Sequence, residues 1–227
     1  MKICGLMKTT LLDFPKRLAC TVFLGRCNLR CPFCHNSKLA FETSGDEISE
    51  EEFFKFLEKR KGLLDGVCIS GGEPLMHEEV FVFIKKVKSF GYLVKLDTNG
   101  CFPERLEKAL EMVDYVAMDI KNSLPRYGIA VGICDFGTEN IKKSIEILKK
   151  SGVEHEFRTT LVKGIHTKED VIEMAKMVAG EKNYFLQSFK MSDNVPDKAL
   201  AEFTKDEMEN LLKKVREYVP DADLRGI

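Results

Sequence analysis

The sequence predicts an α/β protein built on a parallel sheet with outer helices. Three observations carry that expectation. Short apolar runs alternate with amphipathic segments along nearly the whole chain, and the links between them are short. The chemically unusual residues fall at or just after the apolar runs, where a parallel sheet gathers its strand ends on one functional rim. About six such strand–helix pairs fit the chain without an internal repeat or long linker, so residues 1–227 are expected to form a single domain. Right-handed crossovers leave two closures, an open doubly wound sheet or a barrel-like curl.

The elements follow in order. LACTVFLG (18–25) reads as a buried strand. EEEFFKFLEKRKG (50–62) reads as a helix, entered through the capping-box pair Ser49 and Glu52. GVCISG (66–71) is a second strand, and HEEVFVFIKKVKSFG (77–91) a helix stopped by Gly91. YLVKLDTNG (92–100) is a third strand ending in a turn. PERLEKALEMV (103–113) is a helix with Pro103 at its start, followed by the strand DYVAMDIKN (114–122). A loop containing Pro125, Gly128, Gly132 and Gly137 leads to the helix 137–152, the strand VEHEFRTTLV (153–162) and the helix 167–180. NYFLQSFK (183–190) is a strand, residues 203–219 form the last long helix, and ADLRGI ends the chain as a terminal strand.

Composition narrows the function. A net charge of −1, from 35 basic and 36 acidic residues, gives no nucleic-acid surface. The opening MKICGLMKTTLLDF is not a signal peptide, and no apolar run approaches the ~18 residues of a membrane span. A soluble, cytoplasmic protein without nucleic-acid or membrane partners is expected. Thiols stay reduced there, so clustered cysteines point to metal or redox chemistry rather than a disulfide framework.

The cluster is CNLRCPFCHN, with Cys27, Cys31 and Cys34 inside eight residues. Thiolates select zinc, Cu(I) or iron–sulfur centres. A structural zinc site needs a fourth closed ligand, and no second C-x-x-C exists; Cys4, Cys20, Cys68, Cys101 and Cys134 are scattered. Cys20 and Cys68 read as small core residues. Three thiolates can instead hold three irons of a [4Fe–4S] cube and leave the fourth open to a ligand. His35 is an alternative fourth ligand, though its place next to Cys34 makes reaching round a cube difficult. A non-catalytic iron–sulfur or zinc protein is the reading from another class.

The C-x3-C-x2-C spacing, with Phe33 before the third cysteine, resembles the radical S-adenosylmethionine superfamily. Of the two closures, a partial (β/α)6 barrel of parallel strands with outer helices is then expected. The resemblance implies that Cys27, Cys31 and Cys34 ligate a [4Fe–4S] cluster and that S-adenosylmethionine chelates the open iron. A low-potential electron then cleaves the sulfonium, which implies a flavodoxin-like or ferredoxin-like donor. ISGGEPL (69–75) resembles the family's second signature. There Gly71 and Gly72 let backbone approach a ligand, while Glu73 and nearby carbonyls accept from the cofactor ammonium. Taken alone, that stretch is an ordinary strand-to-helix turn.

DTNG (97–100) and MDIK (118–121) would alone be a turn and a strand edge. Together with CHN after the third cysteine they resemble the branch that activates glycyl-radical enzymes. That implies Asp97, Thr98 and Asp119 near a monovalent cation and Asn99 facing the ribose or methionine part. Arg158 would lie near the cofactor and Gln187 on its adenine side; His77 and His155 read as surface or structural. The opening GLMKTTLLDFPKRLACTVFLGRCNLRCPFCHN is similar to the activating proteins of anaerobic ribonucleoside-triphosphate reductase. The implied reaction is abstraction of a glycine Cα hydrogen from that partner. The stretch NSKLAFETSGDEIS holds no cysteine for an additional cluster, and the loop 123–137 is expected to help choose the partner. A radical enzyme acting on a small molecule, such as a modified nucleoside, is the nearest alternative.

Overall fold

A computed structural model of the chain describes residues 1–41 and 47–227. The expected link between Asn36 and the first long helix therefore lies partly outside the described residues. Strands β1 (Ile3–Thr10), β2 (Ala19–Leu24), β3 (Gly66–Gly71), β4 (Leu93–Thr98), β5 (Tyr115–Asp119), β6 (Glu154–Leu161), β7 (Tyr184–Ser188) and β8 (Asp223–Arg225) form one sheet. Their spatial order is their chain order, and every neighbouring pair from β2 to β8 is parallel. An order without reversal sends every right-handed crossover to the same side, which is the barrel-like closure and not the doubly wound one.

The strands alternate accordingly. Val67 and Ile69 of β3, Val94 and Leu96 of β4, and Val116 and Met118 of β5 are fully buried among the helices. Those helices are α1 (Ser37–Phe41), α2 (Glu50–Lys59), α3 (Val80–Ser89), α4 (Pro103–Leu110), α5 (Tyr127–Val131), α6 (Glu139–Lys150), α7 (Lys168–Met177) and α8 (Lys205–Val215). Phe53 and Leu57 of α2, Ile84 and Val87 of α3, and Leu106 of α4 supply the matching apolar stripe. The intervening strand positions carry Cys68, Ser70, Lys95, Asp97, Asp119, Glu156 and Arg158, so the other face is polar. Lys95 and Glu156 are nonetheless 1% exposed, as the inside of a curled sheet requires.

The capping box at Ser49 and Glu52 forms, and Thr167–Asp170 and Thr204–Glu207 repeat the device at α7 and α8. Three elements depart from expectation. β1 pairs antiparallel with β2 and is irregular in register. Its middle is half-buried or exposed, so it lacks the apolar signal of the central strands. α1 is a single turn after the cysteines. The 123–137 loop contains α5, which ends at Gly132 in the left-handed conformation with φ of 66°.

The turn after β3 positions the site. Gly72 N–H donates to the Leu24 carbonyl (2.8 Å) and Glu73 N–H to the Arg26 carbonyl (2.9 Å). A Cβ on Gly72 would lie 1.8 Å from that Arg26 oxygen, a backbone atom that cannot step aside. Gly72→Ala is expected to cost about 2–4 kcal/mol. Gly152→Ala, where a Cβ meets nothing within 4 Å, should change stability little. Equal denaturation midpoints for the two variants would contradict this account of the turn.

Candidate active site

The segment after β2 is held by backbone bonds on both sides. Arg26 sits at φ 71° and donates its N–H to Leu39; Cys27 N–H donates to Ala40 and Arg30 N–H to Val131. Cys34 N–H returns to the Cys31 carbonyl at 3.2 Å, closing the turn that carries the second pair of thiols. These bonds turn Cys27, Cys31 and Cys34 into one cavity of about 210 Å³. Its wall also includes Phe33, Gly71 and Gly72, Asp97 to Asn99, Asp119, Lys121 and Arg158. The convergence expected at the strand ends is therefore present in space. A larger groove of about 650 Å³ lies on the outer helices, among Glu107, Lys143, Glu146 and Lys150. It gathers helix-surface charges and no strand end, so the smaller cavity is the chemically organised one.

Burial pushes the Cys31 thiol up to about 12 and raises Cys27 and Cys34 as well. Thiolates in such a place need a metal cation beside them. Among the described residues, no three Cys, His, Asp or Glu side chains converge on a single ion. One tetrahedral zinc would draw its sulfurs to within roughly 4 Å of each other. A cubic cluster gives each thiolate its own iron and needs no convergence on one ion, and all three thiols lie on the wall of one cavity. Leu29 N–H donates to Cys27 Sγ at 3.4 Å, and Asn99 Nδ2 approaches the same sulfur at 3.8 Å. His35 packs its ring on Phe189 with centroids 5.5 Å apart.

Glu73 lies behind the wall, fully buried. Oε1 accepts from Leu75 N–H (3.0 Å) and from the Thr98 hydroxyl (2.9 Å), and Oε2 accepts from Asn99 N–H (2.7 Å). Burial pushes its carboxyl up to about 7 against the pull of those donors. Its carboxylate thus ties the end of β3 to the end of β4. Thr98 faces Glu73, while Asp97 faces the sheet interior, because neighbours on a strand point to opposite sides.

The interior carries a ladder of charges. Arg158 Nε donates to Asp119 Oδ1 at 3.0 Å, and its Nη1 lies 3.4 Å from Asp97 Oδ2. Lys121 Nζ donates to Asp119 Oδ2 at 2.9 Å, and Lys95 Nζ donates to Asp97 Oδ1. Burial would raise the Asp97 carboxyl, but Arg158 and Lys95 outweigh it and hold the group at about 2. Asp119 is likewise lowered, with Arg158 and Lys121 overcoming burial.

Gln187 lies outside the cavity wall, on β7, its Oε1 3.5 Å from the Thr160 hydroxyl. His77 and His155 are structural: Nε2 of His77 meets the Gly25 carbonyl, and His155 meets Val153 and Glu181. Sequence reasoning missed Lys95 and His166. Val162 N–H donates to His166 Nδ1, leaving Nε2–H to donate to the Lys121 carbonyl at 2.8 Å. His166 also meets the edge of Phe33 at 6.3 Å, supporting both the cysteine turn and the β5 end. Lys95 had a legible signal, since it stands two residues before Asp97 and so shares its face.

Removing Arg158 would take one of two cationic partners from each half-buried aspartate, leaving Lys95 on Asp97 and Lys121 on Asp119. Arg158→Met is expected to cost about 1.5–3 kcal/mol near pH 7. In the native chain both aspartates titrate below their ordinary range, so their stabilisation is complete above about pH 4 and is lost as pH falls below it, for Asp97 through about 2. Without the guanidinium both carboxyls are held less far below their ordinary range, so they contribute less stability in the variant. That difference vanishes as the carboxyls protonate, so the variant's deficit should shrink between pH 7 and pH 3 in denaturant titrations. A deficit equal at both pH values would contradict the ladder.

Residues 21–178 match the Radical SAM superfamily. A Methanocaldococcus jannaschii protein bearing the name of a glycyl-radical enzyme activating enzyme is 33% identical over 235 aligned positions, covering 99% of this chain and 96% of that one. The pyruvate formate-lyase-activating enzyme of Clostridium pasteurianum is 31% identical over 71% of this chain and 70% of its own. The crystal structure of a domain of pyruvate-formate lyase-activating enzyme from Bacteroides vulgatus superposes with a TM-score of 0.58 at 18% identity, over 71% of this chain and 99% of that one, a likeness of fold. The chain belongs to the radical S-adenosylmethionine superfamily, enzymes that use a [4Fe–4S] cluster and S-adenosylmethionine, and its relatives include glycyl-radical activating enzymes.

Proposed function

We propose that this chain cleaves S-adenosylmethionine reductively and abstracts a glycine Cα hydrogen, installing a glycyl radical on a partner enzyme, anaerobic ribonucleoside-triphosphate reductase. The observation that carries this reading is the near end-to-end likeness to the Methanocaldococcus protein, 33% identical over 99% of this chain. The choice of partner rests on the opening GLMKTTLLDFPKRLACTVFLGRCNLRCPFCHN. Cys27, Cys31 and Cys34 would hold the [4Fe–4S] cluster, which would supply the low-potential electron needed for reductive cleavage of S-adenosylmethionine, with a flavodoxin-like or ferredoxin-like protein as its donor.

The chain's own residues bind and orient. Gly71 and Gly72 offer close backbone to the cofactor, with Phe33 and Asn99 on the same wall. Lys121 and Arg158 present positive charge suited to a carboxylate. Glu73 holds the β3 and β4 ends in register with each other. Gln187, one strand beyond Thr160, would extend the site toward β7. The 123–137 loop packs against the cysteine segment through the Arg30–Val131 bond and through Gly132, where a Cβ would sit 2.2 Å from the Arg30 oxygen. A partner loop delivering glycine to the cavity would meet this surface.

The test is anaerobic reconstitution, reduction with dithionite and addition of S-adenosylmethionine. About four irons per chain and 5′-deoxyadenosine are expected, with cleavage lost in Cys31→Ala. Incubation with anaerobic ribonucleoside-triphosphate reductase should then give the doublet resonance of a glycyl radical. Cleavage without that resonance would point to another partner or a small molecule. No cleavage at all would favour the non-catalytic reading.

A further inference from the structure

The resemblance to glycyl-radical activating enzymes implies a monovalent cation held by Asp97, Thr98 and Asp119. The residues of this chain do not fit that ion. Asp97 Oδ1 accepts from Lys95, and Asp97 Oδ2 accepts from the Ser70 hydroxyl at 2.9 Å and faces Arg158. Asp119 Oδ1 accepts from Arg158 and Oδ2 from Lys121. The Thr98 hydroxyl is spent on Glu73 and on the Gly100 N–H. Each oxygen the ion would need already has a donor on it. Three cationic side chains face the two aspartates, so each carboxylate already has its charge balanced before any ion arrives. An added cation would have to displace one of them.

Lys95 is the residue that makes the difference. It rises from the middle of β4 on the same face as Asp97 and is 1% exposed. A buried ammonium persists only with a partner, and this one has the Asp97 carboxylate at its tip and the neutral Cys68 thiol at 3.8 Å beside it. We propose that Lys95 is a positioning residue whose ammonium does the work of a metal cation at Asp97, so that this chain binds its cofactor without a monovalent ion. The inference rests on the reading that S-adenosylmethionine occupies the cavity above Asp97.

Two measurements test it. Equilibrium dialysis of the reconstituted protein gives S-adenosylmethionine affinity in potassium chloride and in choline chloride of equal ionic strength. Wild type should differ by less than about twofold between the salts. Lys95→Met should bind about tenfold more weakly in choline and recover in potassium. Thallium(I) dialysis with the chain free of cofactor reads the ion site directly. Wild type should take up no thallium up to about 10 mM, and Lys95→Met about one equivalent. Saturable thallium uptake by wild type, a tenfold potassium effect in wild type, or a variant indifferent to potassium would each overturn the proposal. If Lys95→Met does not fold, the two wild-type arms still decide, and Lys95→Arg should stay indifferent to potassium. Absence of cofactor binding in both salts would count against the proposed function, while the thallium result would still judge Lys95.

Discussion

A charge inside a sheet survives only with its partner, and the ladder from Lys95 to Lys121 obeys that constraint. Arg158 is its middle rung, joining Asp97 on β4 to Asp119 on β5. Asp119 and Arg158 are direct register neighbours, so the bridge follows from the strand order itself. The pairing fixes the C-terminal ends of β4 and β5 against the middle of β6. A site assembled from separate strand ends needs such a tie, because backbone bonding weakens where strands run out into loops. Glu73 makes the second tie, with three donors drawn from β4 and its own turn.

The cysteine segment closes the cavity from the other side. Its shape is set by backbone bonds to α1, to α5 and to the glycine turn after β3, so the backbone positions the thiols on one wall. Burial disfavours free thiolates there, which makes metal binding and thiol ionisation one event. His166 links the two halves, bonded to the Lys121 carbonyl and lying against Phe33. Cluster segment and ionic floor are thus parts of one rigid wall.

Much of this was legible in the sequence, for identifiable reasons. The six central strands announce themselves because their helix-facing residues, such as Val67, Ile69, Val94 and Leu96, leave apolar runs between amphipathic segments. The rim motifs fall at strand ends, and the cysteine spacing is specific. β1 was not legible because an edge strand with a half-exposed middle needs no apolar alternation. α5 was hidden by Gly128 and Gly132, which read as breakers, although Gly132 is the cap that ends the helix. The directions of side chains were the harder part. Asp97 and Thr98 read as a pair, yet strand geometry sends them to opposite faces, and only the fold brings Thr98 to Glu73 and Lys95 to Asp97.

If the three thiols and the charged floor form one cofactor cavity, S-adenosylmethionine binds there to an iron that no protein side chain holds. Electron–nuclear double resonance on the reduced protein, loaded with S-adenosylmethionine labelled at its amino nitrogen, tests this most directly. A strong hyperfine coupling between that nitrogen and the cluster spin is expected. A cluster whose resonance is unchanged by the labelled cofactor, with a protein ligand on every iron, would contradict it.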